Sequence, residues 1–325
     1  MAVNDVVHVN ECGLPLNAIK WLETHHQSKA CEREQMIRDL NMRKDCFVVD
    51  AGCGPGLWTP LLARAIGPRG HIVGVDISPE ALITAQSRST NRWYRRQVEY
   101  KRALLEDLPI PFGRADMIFS ANVSEYLPDP VHTFAAMGPY LTRGGRIAIK
   151  DIDFGTMRFH TIDPTLQARV LQARERWELQ RVDAGYTFED SWVGSKLAGY
   201  LRKAGYEEVR ETAYPVRRHH ALPNDFRFYL QGIAEWFVSE GAPFLSSNDV
   251  RDWLSSFRDG PENVIDKKGF QSEEIEYVVT GTWNKPAPRQ CHYVDMYSKF
   301  PQTERREEQE PLVLCPTYYS TFKKD

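Results

Sequence analysis

Three glycines stand at alternate positions in one short segment, Val48-Val49-Asp50-Ala51-Gly52-Cys53-Gly54-Pro55-Gly56. The apolar run Phe47-Val48-Val49 leads into this turn, and a helical pattern from about Leu57 to Ala65 leads out of it. Glycine accepts positive φ and lets the backbone approach a ligand where a side chain would stand in the way. A carboxylate follows at the right distance: Asp76 closes the next apolar run, His71-Ile72-Val73-Gly74-Val75. In a doubly wound sheet the carboxyl ends of strands one and two are neighbours, so Asp76 can accept hydrogen bonds from both hydroxyls of a ribose. Asp76 could instead only begin an Asx-type turn before Ser78-Pro79. Taken with the glycines, nucleoside binding is the stronger reading. The spacing differs from the G-x-G-x-x-G dinucleotide fingerprint, because Pro55 separates the second and third glycines.

Other side chains could supply acid–base chemistry or an apolar pocket. Asp151, Asp153 and His160 follow the fifth strand pattern and are the candidate bases, with His219-His220 a further pair after the sixth. The carboxylates could equally be loop caps, and the histidine pair surface residues. Phe226, Leu230, Ile233 and Phe237 form a helical stripe that Tyr229 and Trp236 widen. Such a stripe is ordinarily core; placed after strand six, it could also roof a pocket. Tyr229 and Trp236, with Trp21 near the N-terminus and Tyr126 after strand four, are the candidate substrate-lining residues.

These residues need elements to hold them. Strand patterns recur at Phe47–Val49, His71–Val75, Val98–Ala103, Met117–Phe119, Arg146–Ile149, Tyr206–Val216 and Ile275–Trp283, with helical patterns between most of them. Ser78 and Pro79 supply an N-cap and a first helical residue. A helix over about Val131–Leu141 is expected to stop at Gly144-Gly145, and one over about Val193–Ala204 at Gly205. Strand–helix alternation with short turns predicts a Rossmann-like α/β fold, a doubly wound and mostly parallel seven-stranded sheet. The expected organisation is an N-terminal helical cap (1–45), a main domain (46–285) with helical insertions at about 155–192 and 220–270, and a Pro-rich, charged tail (286–325). The locally apolar stretch Pro311–Tyr319 could dock on the body or on a second subunit, which leaves a homodimer open.

Composition is that of a globular chain, with 42% hydrophobic and 26% charged residues. A net charge of −3 gives no overall electrostatic footprint for nucleic acid, although Arg88–Arg102 is locally basic. The six cysteines form no C-x-x-C pair, so neither a metal site nor a disulfide framework is expected. No secretory signal and no membrane-spanning run is expected, so the cytoplasm is the default location.

Asp50-Ala51-Gly52-Cys53-Gly54-Pro55-Gly56 with Asp76 resembles the class I S-adenosylmethionine-dependent methyltransferases, within them the small-molecule group that includes the ubiquinone and menaquinone biosynthesis enzymes. The likeness covers about Cys46 to Lys150. It implies S-adenosylmethionine as cofactor and S-adenosylhomocysteine as product. It also implies that Gly52, Cys53, Gly54 and Gly56 wrap the methionine portion, anchored by Asp50 and flanked by Trp58. Asp76 would hold the ribose and Ile77 would pack on adenine. In this group a D-A-x-x-L-P segment follows strand three; here Leu104 replaces its Asp, and the Leu105 backbone and Glu106 are the substitutes. Ser120–Asp129, with Asn122, resembles the segment lining the sulfonium and the acceptor.

The sequence lacks N-P-P-Y, D-P-P-Y or Pro-Cys after strand four, which argues against nucleobase amine and pyrimidine-C5 chemistry. A small, apolar or aromatic metabolite is the expected acceptor, its accepting atom unresolved among O, N and C. Alternatives are a protein or nucleic-acid acceptor, a cofactor-binding cyclase or scaffold, or a nucleotide-sugar or NAD enzyme of similar fold.

Overall fold

The computed structural model describes residues 16–183 and 190–286. Seven strands form one sheet: β1 (Phe47–Ala51), β2 (His71–Asp76), β3 (Val98–Arg102), β4 (Ala115–Ala121), β5 (Leu141–Phe159), β6 (Glu207–His219) and β7 (Gln271–Trp283). Their spatial order is β3-β2-β1-β4-β5-β7-β6. The first five pair in parallel, and β7 runs antiparallel to both of its neighbours. This is the doubly wound, mostly parallel sheet expected from the alternation of patterns. The order reverses beside β1, so the carboxyl ends of β1, β2 and β4 border the crevice where such sheets take ligands.

All five positions of β1 are buried, because both faces of the sheet are covered. On one face Val48, Ile72 and Met117 pack with Leu62 and Ile66 of α3 (Thr59–Ile66) and with Met36 and Ile37 of α2 (Ala30–Asp39). On the other, Val49, Val73 and Ile118 meet Phe134 and Met137 of α5 (Pro130–Met137) and Leu197 and Leu201 of α7 (Leu197–Ala204). The expected caps are present. Ser78 Oγ accepts from Ala81 N at 3.0 Å to open α4 (Pro79–Ser89), and Gly205 closes α7 at φ 92°.

Among the boundaries that differ from expectation, two have a clear physical cause. The helix over 131–141 stops at Met137, because Pro139 lacks the N–H and adds a ring that would clash in a continued helix. Gly138–Tyr140 form one 3-10 turn, and Gly144-Gly145 lie inside β5. The fifth strand also does not end at Ile149. β7 continues to supply a hydrogen-bonding partner, so β5 runs on to Phe159 with one irregularity between Asp153 and Arg158.

That extension carries a third core beyond the carboxyl edge of the parallel strands. Ile152, Phe154 and Phe159 of β5 pack there against the inserted helices α6 (Pro164–Asp183), α8 (Asn224–Gly241) and α9 (Ser247–Phe257). Trp21 of α1 (Ile19–Ser28) belongs to the same cluster. No described helix is long and apolar enough to cross a membrane. The expectations for Pro311–Tyr319, and for the tail beyond residue 286, lie outside the described residues.

Candidate active site

The glycine turn is built as its sequence requires. Gly52, Gly54 and Gly56 all have positive φ, at 73°, 52° and 73°. A Cβ on Gly52 would fall 2.3 Å from Val123 Cγ2, so no side chain fits there. Gly52 N and Cys53 N donate to Val75 O at 2.8 and 2.9 Å, which ties the turn to β2. Gly54 N donates to Asp76 Oδ2 at 2.7 Å, and Ser78 N donates to Asp76 Oδ1 at 2.9 Å. The Asx-type turn and the approach to the glycines therefore coexist in one carboxylate. Asp76 stays half-buried.

Asp50 sits beneath the turn, 1% exposed, and its Oδ2 has no hydrogen-bond partner among the described residues. Burial, and then the charge of Asp76, push its carboxyl up to about 7, against a hydrogen bond from Thr59. An orphaned buried carboxylate beside a turn of open glycines is the arrangement that an ammonium-bearing ligand would complete. Cys53 is buried, and Trp58 turns into the core against Phe119, with ring centroids 5.0 Å apart. Further along the crevice Ile77 is half-buried and Leu105 buried, whereas Leu104 is 62% exposed. The Glu106 carboxylate accepts from the Thr133 hydroxyl.

A cavity opens past this crevice, lined by Trp21, Leu22 and His25 of α1, Asn122 and Tyr126 after β4, and Ile233 of α8. Leu22 also stands over the glycine turn, 3.9 Å from where a Gly54 Cβ would be. Of the four aromatic residues expected to line substrate, Trp21 and Tyr126 reach the cavity. Tyr229 and Trp236 stand behind its lining: Tyr229 stacks on Trp21 and His25 at 5.7 and 5.0 Å, and Trp236 packs tilted at 57° against Phe154 at 4.8 Å.

The three candidate bases are not brought together at that wall. Asp151 is buried within β5, and its two oxygens accept from Ser124 N at 3.0 Å and Ile152 N at 2.9 Å. Burial pushes it up to about 6, opposed by Lys150 and by those hydrogen bonds. Asp153 Oδ1 accepts from Gly155 N at 2.9 Å. His160 is exposed just past β5, and its backbone N–H donates to Gln271 O at 3.0 Å.

Sequence reading missed a buried ionic cluster behind the cavity. Lys29, between α1 and α2, lies 2.8 Å from Glu274 Oε1, 3.0 Å from Glu276 Oε1 and 3.1 Å from Tyr229 Oη. Lys150 Nζ reaches Glu276 Oε1 at 2.8 Å and donates to Asn122 Oδ1 at 2.6 Å. Tyr229 Oη donates to Glu274 Oε2 at 2.6 Å. Burial alone would raise the Glu276 carboxyl, but Lys150 and Lys29 hold it well below the usual carboxylate range. Lys150 itself is lowered to about 8, chiefly by burial, against the pull of Glu276. The legible signal was in β7, where Ser272, Glu274 and Glu276 occupy the same alternate, buried positions as Val278. Among the described residues, no group of three or more His, Cys, Asp and Glu side chains could hold a metal ion.

A glycine turn after β1, an acid at the end of β2 and an adjoining cavity stand at the carboxyl edge of a doubly wound sheet, where such folds take ligands. Residues 42–192 match the family described as a methyltransferase domain. The chain is 30% identical over 186 residues to a ubiquinone biosynthesis O-methyltransferase of Xylella fastidiosa, covering 55% of this chain and 68% of that one. It is 26% identical over 238 residues to a trans-aconitate 2-methyltransferase of Escherichia coli, covering 71% and 78%. It is 29% identical over 229 residues to a 37.1 kDa protein of transposon Tn4556 in Streptomyces fradiae; that match covers 70% of this chain and only 61% of the other. The chain belongs to the class I S-adenosylmethionine-dependent methyltransferases, and its cofactor is S-adenosylmethionine.

Asp50 gives this site a pH signature. With its carboxyl at about 7, about half the molecules hold a proton there at neutral pH. An ammonium placed against Asp50 favours the charged form and displaces that proton. Binding of S-adenosylhomocysteine at pH 7 should therefore release a fraction of a proton and weaken progressively as pH falls below 7. Calorimetry in two buffers of different ionisation enthalpy reads the release; equal heats in both would remove Asp50 from the ligand.

Proposed function

We propose that this enzyme transfers a methyl group to a small, largely apolar or aromatic metabolite held in the cavity beside the glycine turn. The observation that carries this reading is the cavity's position and lining. It adjoins the crevice at Asn122, and its wall is mostly apolar, from Trp21, Leu22, Ile152, Phe154 and Ile233, with Asn17, His25 and Glu125 also lining it. Methyl transfer from a sulfonium is an in-line displacement, so holding the acceptor in line and free of water contributes much of the rate. Gly52, Gly54, Gly56 and Asp50 would take the methionine portion, Asp76 the ribose, and Ile77, Leu105 and Glu106 the adenine end. Asn122 stands where the two ligands meet. Trp21 and Tyr126 would contact the acceptor, while Tyr229 and Trp236 hold the shape of the roof. The net charge of −3 and the small, largely apolar cavity favour a small molecule over nucleic acid or an extended polypeptide.

Filling the cavity tests this. With a metabolite extract of the source cells as acceptor and methyl-labelled cofactor, the wild-type chain should label an organic-extractable product. Ile233→Trp should abolish that labelling while leaving affinity for S-adenosylhomocysteine unchanged. Label appearing in protein or nucleic acid, or full turnover in Ile233→Trp, would count against a small acceptor in this cavity.

A further inference from the structure

Resting on the assignment of the cavity as the acceptor site, we propose that His25 is the proton acceptor for a hydroxyl group, so that the accepting atom is oxygen. His25 lines the cavity together with Asn122. Its ring is held in place by Tyr229, stacked at 5.0 Å and 10°, and by Trp21 at 6.2 Å. Its Nε2 is buried with no hydrogen-bond partner among the described residues. It faces Glu276 Oε1 at 3.7 Å. A neutral imidazole with its hydrogen on Nε2, toward Glu276, carries its lone pair on Nδ1. Glu276 is then a positioning residue: at 3.7 Å, beyond hydrogen-bond length, its charge favours the hydrogen on the facing nitrogen and the imidazolium formed when a proton arrives.

The charged groups around His25 keep it neutral before reaction. Lys29 stands at the end of its own helix, Arg33 on α2, Lys150 on β5, Glu276 on β7, and Tyr229 on α8. Burial lowers the ring well below its ordinary range, Lys29, Arg33 and Lys150 add to this, and Glu276 opposes them. The ring is therefore neutral at neutral pH, with a lone pair available as the methyl transfers. Asp151, with both oxygens on backbone N–H groups, is engaged elsewhere.

Asn122 selects oxygen over nitrogen. Lys150 is an ammonium and can only donate, so the Asn122 atom 2.6 Å from it is Oδ1, which leaves the amide NH2 as the free end of that side chain. A hydroxyl oxygen has two lone pairs, one to accept from this NH2 and one to attack. An amine has a single lone pair and cannot do both. As the oxygen–carbon bond forms, the hydroxyl's O–H bond breaks and its proton passes to Nδ1 of His25. The electron pair of the broken carbon–sulfur bond remains on a neutral thioether, and His25 later returns its proton to water.

Histidine NMR on the isotope-labelled full chain saturated with S-adenosylhomocysteine tests the ring directly, with the His25 signals assigned by their loss in His25→Gln. A neutral Nε2–H tautomer at pH 7, persisting below the ordinary histidine range, is expected. An imidazolium at pH 7, or the Nδ1–H tautomer, overturns the proposal. With protocatechuate as hydroxyl probe, His25→Gln should lower kcat by roughly 100- to 10,000-fold, the usual worth of a positioned base, with KM and cofactor affinity little changed. Unchanged kcat, or preferential labelling of para-aminobenzoate on nitrogen, also overturns it. If protocatechuate is not turned over, the tautomer decides. A wild-type chain that labels no small molecule would count against the small-acceptor reading instead, independently of the state of His25.

Discussion

Replacing Glu276 by Ala should destabilise the chain by about 3–5 kcal/mol, the usual cost of removing one partner from a buried ion pair. Glu276 is 0% exposed, and its Oε1 serves both Lys29 at 3.0 Å and Lys150 at 2.8 Å. Both ammonium groups are themselves fully buried, so neither can turn to water when the carboxylate goes. The cluster joins the N-terminal helices, β5, β7 and α8, and its loss should loosen α1 from the cavity wall. Denaturant unfolding measures the effect; a change under about 1 kcal/mol would place the pair in the weak class of surface ion pairs. The acid dependence has a defined sign. The folded-state pKa of Glu276 is depressed below its ordinary 4.5. Its contribution is therefore present above that value and is lost as pH falls through the lower folded pKa.

The second large effect is expected at Asp76. Asp76→Ala should weaken S-adenosylhomocysteine binding by about 2–4 kcal/mol, for two hydrogen bonds to a charged acceptor. That corresponds to a loss of about 30- to 700-fold in affinity. Because Asp76 also accepts from Gly54 N and Ser78 N, part of the loss could come from a relaxed turn. Asp76→Asn keeps the side-chain shape but only one oxygen to accept from Gly54 N or Ser78 N, so it too perturbs the turn; a melting temperature unchanged from wild type in either variant places the loss at the ribose. Affinity within a few-fold of wild type in both variants would take Asp76 away from the ribose.

What the sequence disclosed follows from how local each signal is. The glycine turn, Ser78-Pro79 and Gly205 act through their own backbone conformation, so they could be read from neighbours a few residues away. The mostly parallel sheet follows from alternation and short connections, whereas the antiparallel β7 between β5 and β6 does not. The end of β5 was not legible, because its last residues are strand only through pairing with β7, over a hundred residues later in the chain. Tyr229 and Trp236 were visible as a helical stripe, but periodicity does not distinguish the layer that touches a cavity from the layer behind it. Lys29, Lys150, Glu274 and Glu276 come from three distant segments and make sense only together. A lone buried lysine in sequence gives no hint of its partner. Even so, acids alternating with apolar residues along β7 were a mark of it that could be read.

A crystal structure of the chain with S-adenosylhomocysteine tests the placement of the site most directly. The ribose hydroxyls should lie on Asp76, the amino group near Asp50, and the adenine between Ile77 and Leu105. The sulfur should face the cavity bounded by Trp21, Asn122 and Tyr126. A ligand bound away from Gly52–Gly56, or one whose sulfur points out of that cavity, would contradict both the cofactor assignment and the acceptor site built on it.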